Sequence, residues 1–197
     1  ESIELVSRSK SFVPHFHIPL QSGSDKMLKL MQRRYKIDLY KSRVEKIKSV
    51  MPHACIGVDV IVGFPQETDD DFLDTYNFVN ELDISYLHVF TYSERANTKA
   101  IEMDGVVPVP LRNQRNAMLR TLSEKKKRFF YQQFLGSERE ALMEQEQYGE
   151  VMHGFTDNYI KVSMPFDTTK VNQLVHVELQ DFNDAGNVNA ATVKMAH

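Results

Sequence analysis

The sequence predicts an α/β protein in two parts, a segment of parallel β/α structure followed by a small all-β barrel. Up to about Gly136, short apolar strands alternate with amphipathic helices, which is the pattern of a parallel sheet. After Gly136 the apolar period changes from helical to alternating, as in short antiparallel strands. The charge also changes there: residues 1–135 carry 20 Lys+Arg against 17 Asp+Glu, whereas residues 136–197 carry 4 against 10. These observations predict two units of different character.

The first part contains three predicted strands, which are Phe12–Leu20, Cys55–Phe64 and Ser85–Thr91. Helices are predicted between them because apolar residues recur at helical spacing, first Leu28, Met31 and Tyr35, then Tyr40, Val44, Ile47 and Met51, and then Phe72, Tyr76, Val79 and Leu82. Ser24 and Thr68 are the predicted N-caps of the first and third helices.

The second part begins after a proline-containing linker and a long helix. The linker is predicted at Val106–Pro110 and the helix at Leu111–Leu135. In the barrel, alternating runs include Ile160, Val162 and Met164, and then Val175, Val177 and Leu179. The predicted boundaries are therefore residues 1–110, 111–135 and 136–197.

Composition limits the setting of the chain. No apolar run approaches the ~20 residues that a membrane span requires, and no N-terminal segment resembles a signal peptide. The single cysteine, Cys55, cannot form an internal disulfide, which favours a reducing, cytoplasmic location. The chain opens at Glu1 inside an apolar pattern, and we expect it to be a fragment of a longer protein.

Polar loops follow all three predicted strands. They are residues 19–25, 63–68 and 92–95, and each contains small or polar residues. One such loop is ordinary β/α turn chemistry. Because ligands gather at the carboxyl edge of parallel strands in β/α barrels, three loops in register favour a binding site there.

These loops also carry a family resemblance. The matching segments are His15–Asp25, Met31–Arg33, Asp59–Thr68, Leu87–Phe90, Tyr92–Arg95 and Thr98–Ala100, and then Gly154–Val162. Together and in this order they resemble the radical SAM methylthiotransferases, and the last segment resembles their RNA-binding TRAM domain. The resemblance implies the C-terminal part of a radical SAM partial β/α barrel followed by a TRAM-like, OB-like barrel.

The resemblance also implies cofactors. The family binds S-adenosylmethionine beside a four-iron four-sulfur cluster, uses a second such cluster, and adds a methylthio group to a purine carbon. The cofactor-binding residues expected here are Gln21, Ser22, Arg33, Asp59, Gly63 and Ser93. Since a radical cluster requires three cysteines and Cys55 is alone, we expect the cluster ligands to precede Glu1 and the fragment itself to be inactive, with no catalytic residue of its own.

No metal site is predicted. His15 and His17 share one face of a strand, but no third ligand is near in sequence, so they are interpreted as barrel-lining residues. Asp59 is the only charge in a strand that is otherwise apolar, so it is expected to have a partner, either a ligand or a protein group.

The implied partner is the anticodon stem-loop of tRNA. The residues predicted to contact RNA are Arg112, Arg115, Arg120, Lys125, Lys127 and Arg128 on the long helix, and Phe155, Asn158, Tyr159 and Lys161 on the barrel. No membrane partner is expected. Self-association is expected through the first strand, because a cut barrel would leave that strand at an open edge.

Within the family, Leu87–Phe90 before Tyr92 and Ser93 resembles the branch that modifies threonylcarbamoyladenosine beside the anticodon. Two alternatives stay open. One is the branch that modifies isopentenyladenosine, and the other is a non-catalytic RNA-binding module.

Overall fold

The computed structural model describes residues 2–193, apart from the side chains of Gln147 and Tyr148. The chain divides into two compact units. The barrel unit comprises Glu1–His15, His53–Cys55 and Arg128–His197, and the sheet unit comprises Phe16–Pro52 and Ile56–Lys127. This grouping differs from the predicted boundaries, because the first 15 residues belong with the barrel and the long helix is divided between the units.

The first part of the chain contains three strands and five helices among the residues described. The strands are β1 (His15–His17), β2 (Cys55–Val62) and β3 (Tyr86–Thr91), and they form a sheet in the order β1-β2-β3. The helices are α1 (Ser2–Arg8), α2 (Asp25–Leu30), α3 (Ile37–Val50), α4 (Asp69–Glu81) and α5 (Val109–Gln132). The predicted α/β alternation is confirmed, and α1 is an additional helix that the apolar pattern did not predict.

The parallel sheet has one covered face and one partly open face. Along β2 the side chains of Val58, Val60 and Val62 are buried, whereas Asp59 and Ile61 are only half-buried. The predicted stripes of α3 and α4 supply buried residues to this core, chiefly Tyr40, Val44, Ile47, Phe72 and Val79. The open face of the sheet is therefore where polar side chains of the strands lie.

Helix α4 begins at the predicted cap. The Thr68 hydroxyl accepts from the Asp71 amide, and the Asp71 carboxylate accepts from the Thr68 amide, which completes a capping box. Burial would raise the pKa of Asp71, but hydrogen bonds from Lys26, Thr68 and Ser24 lower it to about 2. Ser24 makes no side-chain cap at α2, because its hydroxyl donates instead to Asp71.

Helix α5 protects one edge of the sheet. The Leu87 amide of β3 donates to the Ser123 hydroxyl (2.8 Å), which in turn donates to the Leu87 carbonyl (3.0 Å). The Asn116 amide nitrogen donates to the Val89 carbonyl (3.1 Å). Side chains of the helix thus satisfy backbone groups that an edge strand would otherwise leave unpaired.

Strand β1 forms the opposite edge of the sheet. Among residues 2–193, no further strand pairs with its outer side. Its inner neighbour is β2. The amide of Ile18, just after β1, donates to the Gly57 carbonyl of β2. We expect the chain to self-associate through this edge, since a strand at the edge of a sheet is a template for pairing with another chain. Static light scattering at micromolar concentration should give a mass above 22.8 kDa. A monomer at all concentrations would contradict this expectation.

The second part is a closed five-stranded barrel, as predicted. Its strands are β4 (Glu138–Tyr148), β5 (Val151–Thr156), β6 (Lys161–Pro165), β7 (Leu174–Phe182) and β8 (Val188–Thr192), in the order β4-β5-β6-β8-β7. The predicted inward residues Val162, Val177 and Leu179 are fully buried. Closure leaves the barrel without a free edge.

No helix in the described part of the chain has the length and apolar character that crossing a bilayer requires.

Candidate functional site

The loop after β1 is fixed by backbone and hydroxyl contacts. Gln21 has a positive φ of 73°, and its amide donates to the Asp59 carbonyl at 2.8 Å. Ser22 is buried and its hydroxyl lies 3.1 Å from the Thr75 hydroxyl, which also accepts from the Gly23 amide. Both predicted cofactor residues of this loop therefore hold the loop against β2 and α4.

The loop after β2 encloses a buried ion pair. The Glu67 carboxylate accepts from the Gly63 amide at 3.0 Å and from the Arg115 guanidinium at 2.6 Å. Arg115 also donates to the exposed Asp69 carboxylate at 2.7 Å. Burial raises the pKa of Glu67, and the bonds from Gly63 and Arg115 only partly oppose this. The loop is therefore held by charge that is shielded from water.

A second buried guanidinium joins the loop after β3. Arg112 donates to the Val107 carbonyl (2.7 Å), the Tyr92 carbonyl (2.8 Å) and the Glu94 carboxylate (2.6 Å). Arg112 and Arg115 are 3% and 2% exposed. Their charged groups are occupied by internal partners, and contact of Arg112 and Arg115 with RNA stays a prediction.

A cavity of about 590 Å³ opens at the carboxyl edge of β2 and β3. Its wall combines aromatic, aliphatic and cationic side chains. They belong to Leu30, Met31, Gln32, Arg33, Ile61, Phe64, Phe90, Thr91, Tyr92, Ser93, Arg95, Thr98, Lys99, Ala100 and Met103. Of the six predicted cofactor residues, Arg33 and Ser93 line this cavity, and Gln21, Ser22, Asp59 and Gly63 do not.

The cavity wall offers specific polar groups for a ligand. The Tyr92 hydroxyl is shielded from solvent and has no hydrogen-bond partner among the described residues, whereas the ring of Tyr92 packs edge-on against Phe64 at 5.3 Å in the cavity wall. Arg33, Arg95 and Lys99 place three cations around the same space. A mostly apolar pocket of this size with a few polar groups is typical of a small-molecule site. The cations favour a ligand that carries negative charge.

Asp59 lies on the open face of the sheet, outside this cavity. Its carboxylate is 2.9 Å from Nε2 of His17, and His88 stands opposite Asp59 in the β2–β3 register. The expected partner of Asp59 is thus a protein group, His17. The sequence reasoning missed His88; its alternation with Tyr86 and Phe90 on β3 was the available signal.

The barrel unit carries a stack of three rings. The rings of His15 and Tyr159 are parallel within 9° at 3.8 Å, and Phe155 stacks on Tyr159 at 4.7 Å. Tyr159 is 37% exposed and has a positive φ of 66°. The neighbouring Asn158 is fully buried, accepts from the Thr156 hydroxyl and donates to the His53 carbonyl. Its amide stabilises the fold, and contact of Asn158 with RNA stays a prediction.

The remaining predicted cations reach solvent to different degrees. Arg120, Lys125 and Arg128 are exposed, whereas Lys127 is half-buried and pairs with Glu124 at 2.9 Å. On the barrel, Lys161 is half-buried. These five side chains keep charge accessible to an anionic partner.

Comparisons with known proteins agree with the fold. Residues 1–79 match the family described as the Radical SAM superfamily. The solved structure of coproporphyrinogen III oxidase (HemN) from Escherichia coli, a radical SAM enzyme, superimposes with a TM-score of 0.52 at 11% identity. That superposition covers 98% of this chain and 49% of HemN, and it supports the fold alone.

Curated relatives are more similar in sequence. The threonylcarbamoyladenosine tRNA methylthiotransferases MtaB of Bacillus subtilis and Aquifex aeolicus are 38% and 39% identical, over 91% and 82% of this chain. The tRNA-2-methylthio-N(6)-dimethylallyladenosine synthase of Bacillus subtilis is 33% identical over 90% of this chain. The chain spans 41%, 38% and 35% of the length of these three relatives, respectively.

Proposed function

This chain carries part of a radical SAM domain and is homologous to tRNA methylthiotransferases of the MtaB type. We propose that it belongs to an enzyme that adds a methylthio group to threonylcarbamoyladenosine in tRNA. The observation that carries this proposal is the cation-lined cavity at the carboxyl edge of β2 and β3. A cytoplasmic location, where tRNA is modified, is part of the proposal.

S-adenosylmethionine fits the cavity by size, and its carboxylate, rather than its net positive charge, is the part that the cations of the wall would bind. The cavity of about 590 Å³ lies in the range of small-molecule sites. Arg33 would bind the carboxylate of the methionyl group, and Phe64 or Phe90 would pack against the adenine. When bound, this cofactor supplies the methyl group and radical chemistry. The residues of the chain bind it, orient it and exclude water.

The chain does not provide the ligands of an iron–sulfur cluster. A radical SAM cluster requires three cysteine thiolates, whereas the sequence has only Cys55, which is 1% exposed within β2. A buried thiol among apolar neighbours has the character of a core residue. We therefore assign no step of the reaction to a cluster held by these residues.

The barrel is proposed to be a TRAM-like RNA-binding domain. Stacked aromatic rings give nucleobases a surface on which to stack, and in the stack of His15, Tyr159 and Phe155 the exposed Tyr159 is the central ring that holds the other two together. The barrel is acidic overall, so stacking rather than charge is the basis of the proposal. Exposed cations on α5, namely Arg120, Lys125 and Arg128, would add phosphate contacts.

The RNA proposal predicts a selective loss in one variant. With a fluorescent tRNA anticodon stem-loop, Tyr159→Ala should weaken binding by about 5- to 150-fold, since one stacked base is worth ~1–3 kcal/mol. Fluorescence anisotropy measures this loss. The matched control is Tyr76→Ala, which removes a half-buried tyrosine from the acidic helix α4 and should leave affinity unchanged. Equal affinity of Tyr159→Ala and the unmodified protein would refute the barrel as the RNA surface.

A second substrate is the dimethylallyladenosine suggested by the other relative. The charge of the cavity favours threonylcarbamoyladenosine, because that nucleoside carries a carboxylate whereas the dimethylallyl group is apolar. Arg95 and Lys99, the two cations of the wall that the cofactor carboxylate does not use, would stabilise the carboxylate of the nucleoside and would gain nothing from an alkene. Competition between the two nucleosides for the chain distinguishes these substrates.

A further inference from the structure

Three side chains on the open face of the sheet converge from three different strands. His17 lies at the end of β1, Asp59 in β2 and His88 in β3. Asp59 and His88 are direct partners in the parallel register, so their side chains leave the sheet on the same face. The exposed His17 imidazole reaches that face as well, with Nε2 2.9 Å from an Asp59 oxygen.

The arrangement has the dimensions of a ligand set. One nitrogen or oxygen from each residue lies within 4.8 Å of the others. The imidazole rings of His17 and His88 are 5.4 Å apart and tilted by 36°. A transition metal bonds to such atoms at about 2.0–2.2 Å, so a small rotation of exposed side chains brings all three into range.

Unused lone pairs are available in the cluster. Among the residues described, no hydrogen bond of the His88 imidazole is seen, and the His17 contact uses only one of the two carboxylate oxygens of Asp59. The His88 ring is nevertheless held in place, because Tyr86 packs edge-on against it at 5.2 Å. Tyr86 in turn lies over Gly57, where a Cβ atom would overlap the ring. The glycine thus allows the packing that orients the second imidazole.

We propose that His17, Asp59 and His88 form a binding site for a divalent transition metal ion such as Zn²⁺. Two imidazoles and one carboxylate are a ligand set that such ions favour over Mg²⁺ or Ca²⁺, which prefer oxygen ligands alone. Three protein ligands on an open face leave a fourth position for water or an exogenous ligand. The site lies outside the cavity proposed for S-adenosylmethionine and does not depend on that function.

Cobalt titration of the chelator-treated chain tests the proposal. Co²⁺ should give visible d–d absorption that saturates at about one equivalent, and Zn²⁺ should displace it. His88→Ala should weaken Co²⁺ binding roughly tenfold or more, and Asp59→Asn should do the same. His88 is exposed, so its removal leaves the fold and the His17–Asp59 pair intact, as circular dichroism can verify.

The matched control is His176→Ala. His176 is a half-buried histidine that pairs with Glu140 on the barrel, far from the cluster in sequence. This variant should bind Co²⁺ like the unmodified chain. The proposal is overturned if no visible band appears at saturating Co²⁺, or if His88→Ala and His176→Ala give the same titration as the unmodified chain.

Discussion

Replacing Arg115 with alanine should destabilise the sheet unit by about 3–5 kcal/mol, because it leaves a buried carboxylate without its cation. Arg115 and Glu67 are 2% and 7% exposed, and their nearest atoms are 2.6 Å apart. In a chain of this length the loss corresponds to a fall in melting temperature of about 6–20 °C. Thermal unfolding followed by circular dichroism measures it. Arg120→Ala, an exposed arginine on the same helix, is the control and should change stability by less than ~0.5 kcal/mol.

The same variant should show a distinct pH dependence. Burial already raises the pKa of Glu67 above its ordinary value of 4.5, and loss of Arg115 removes an opposing effect. A carboxyl group whose folded-state pKa is raised binds protons more tightly in the folded state, so stability falls as pH rises from the unfolded-state pKa to the folded-state pKa. The deficit of Arg115→Ala should therefore be smaller at pH 4.5 than at pH 7.5.

A double variant separates the ion pair from simple packing. Methionine at both Arg115 and Glu67 removes both charges and keeps much of the volume, so it should recover most of the stability that Arg115→Ala loses. Urea unfolding of the three proteins at pH 7.5 makes the comparison. If Arg115→Ala matches the unmodified chain, or if its deficit is the same at both pH values, the buried pair is not what holds this loop.

The burial of these arginines explains one limit of sequence reasoning. The run of basic residues on α5 is typical of a solvated or RNA-facing helix surface. Yet Arg112 and Arg115 lie at helical spacing from Leu119 and Leu122, which are buried, so the same face of the helix carries all four. A comparison of each basic position with the apolar stripe of α5 would have distinguished the two buried arginines from Arg120, Lys125 and Arg128, which lie outside that stripe.

Local signals were reliable where a single segment determines the outcome. Thr68 caps α4 as predicted because the cap and its partner Asp71 lie three residues apart. Strands β6 and β7 of the barrel contain the two alternating runs that the sequence showed. Contacts between distant segments were not accessible in this way, because strand register is not encoded in any one strand. His17 thus had no visible third ligand until the β2–β3 register placed His88 beside Asp59.

The candidate site was predictable by position and only partly by residue. The loops after β2 and β3 both contribute to one cavity at the carboxyl edge of their strands, which general rules for β/α folds lead one to expect, whereas the residues that line it include none of the loop at 19–25. Small and hydroxyl residues in those loops, such as Ser22 and Gly63, stabilise the loop conformation. The wall of the cavity is formed instead by longer side chains, such as those of Arg33 and Tyr92, whose direction depends on tertiary packing.

The largest effect of a single added methyl group is expected at Gly63. This residue has a positive φ of 76°, which a side chain disfavours, and a Cβ atom there would overlap Cγ of Arg112 and lie 2.9 Å from its Cδ. Arg112 would have to move, which weakens its bonds to the carbonyls of Val107 and Tyr92. We expect Gly63→Ala to cost about 3–5 kcal/mol, since buried bonds to a charged group are worth ~1.5–3 kcal/mol each and the backbone adds ~1 kcal/mol.

Gly186→Ala isolates the backbone part of this cost. Gly186 has nearly the same φ of 74°, but a Cβ atom there meets nothing within 4 Å, so its substitution should cost only about 1–2 kcal/mol. A double-mutant cycle then isolates the contact: in an Arg112→Ala background, Gly63→Ala should cost no more than Gly186→Ala, because the overlapping side chain is gone. Urea unfolding of the four proteins of the cycle, and of Gly186→Ala, gives each free energy. Equal costs for Gly63→Ala with and without Arg112 would mean that backbone strain alone demands the glycine. If the cost of Gly63→Ala instead falls to that of Gly186→Ala when Arg112 is replaced, Gly63 is the residue that allows a buried arginine to reach the loop after β3.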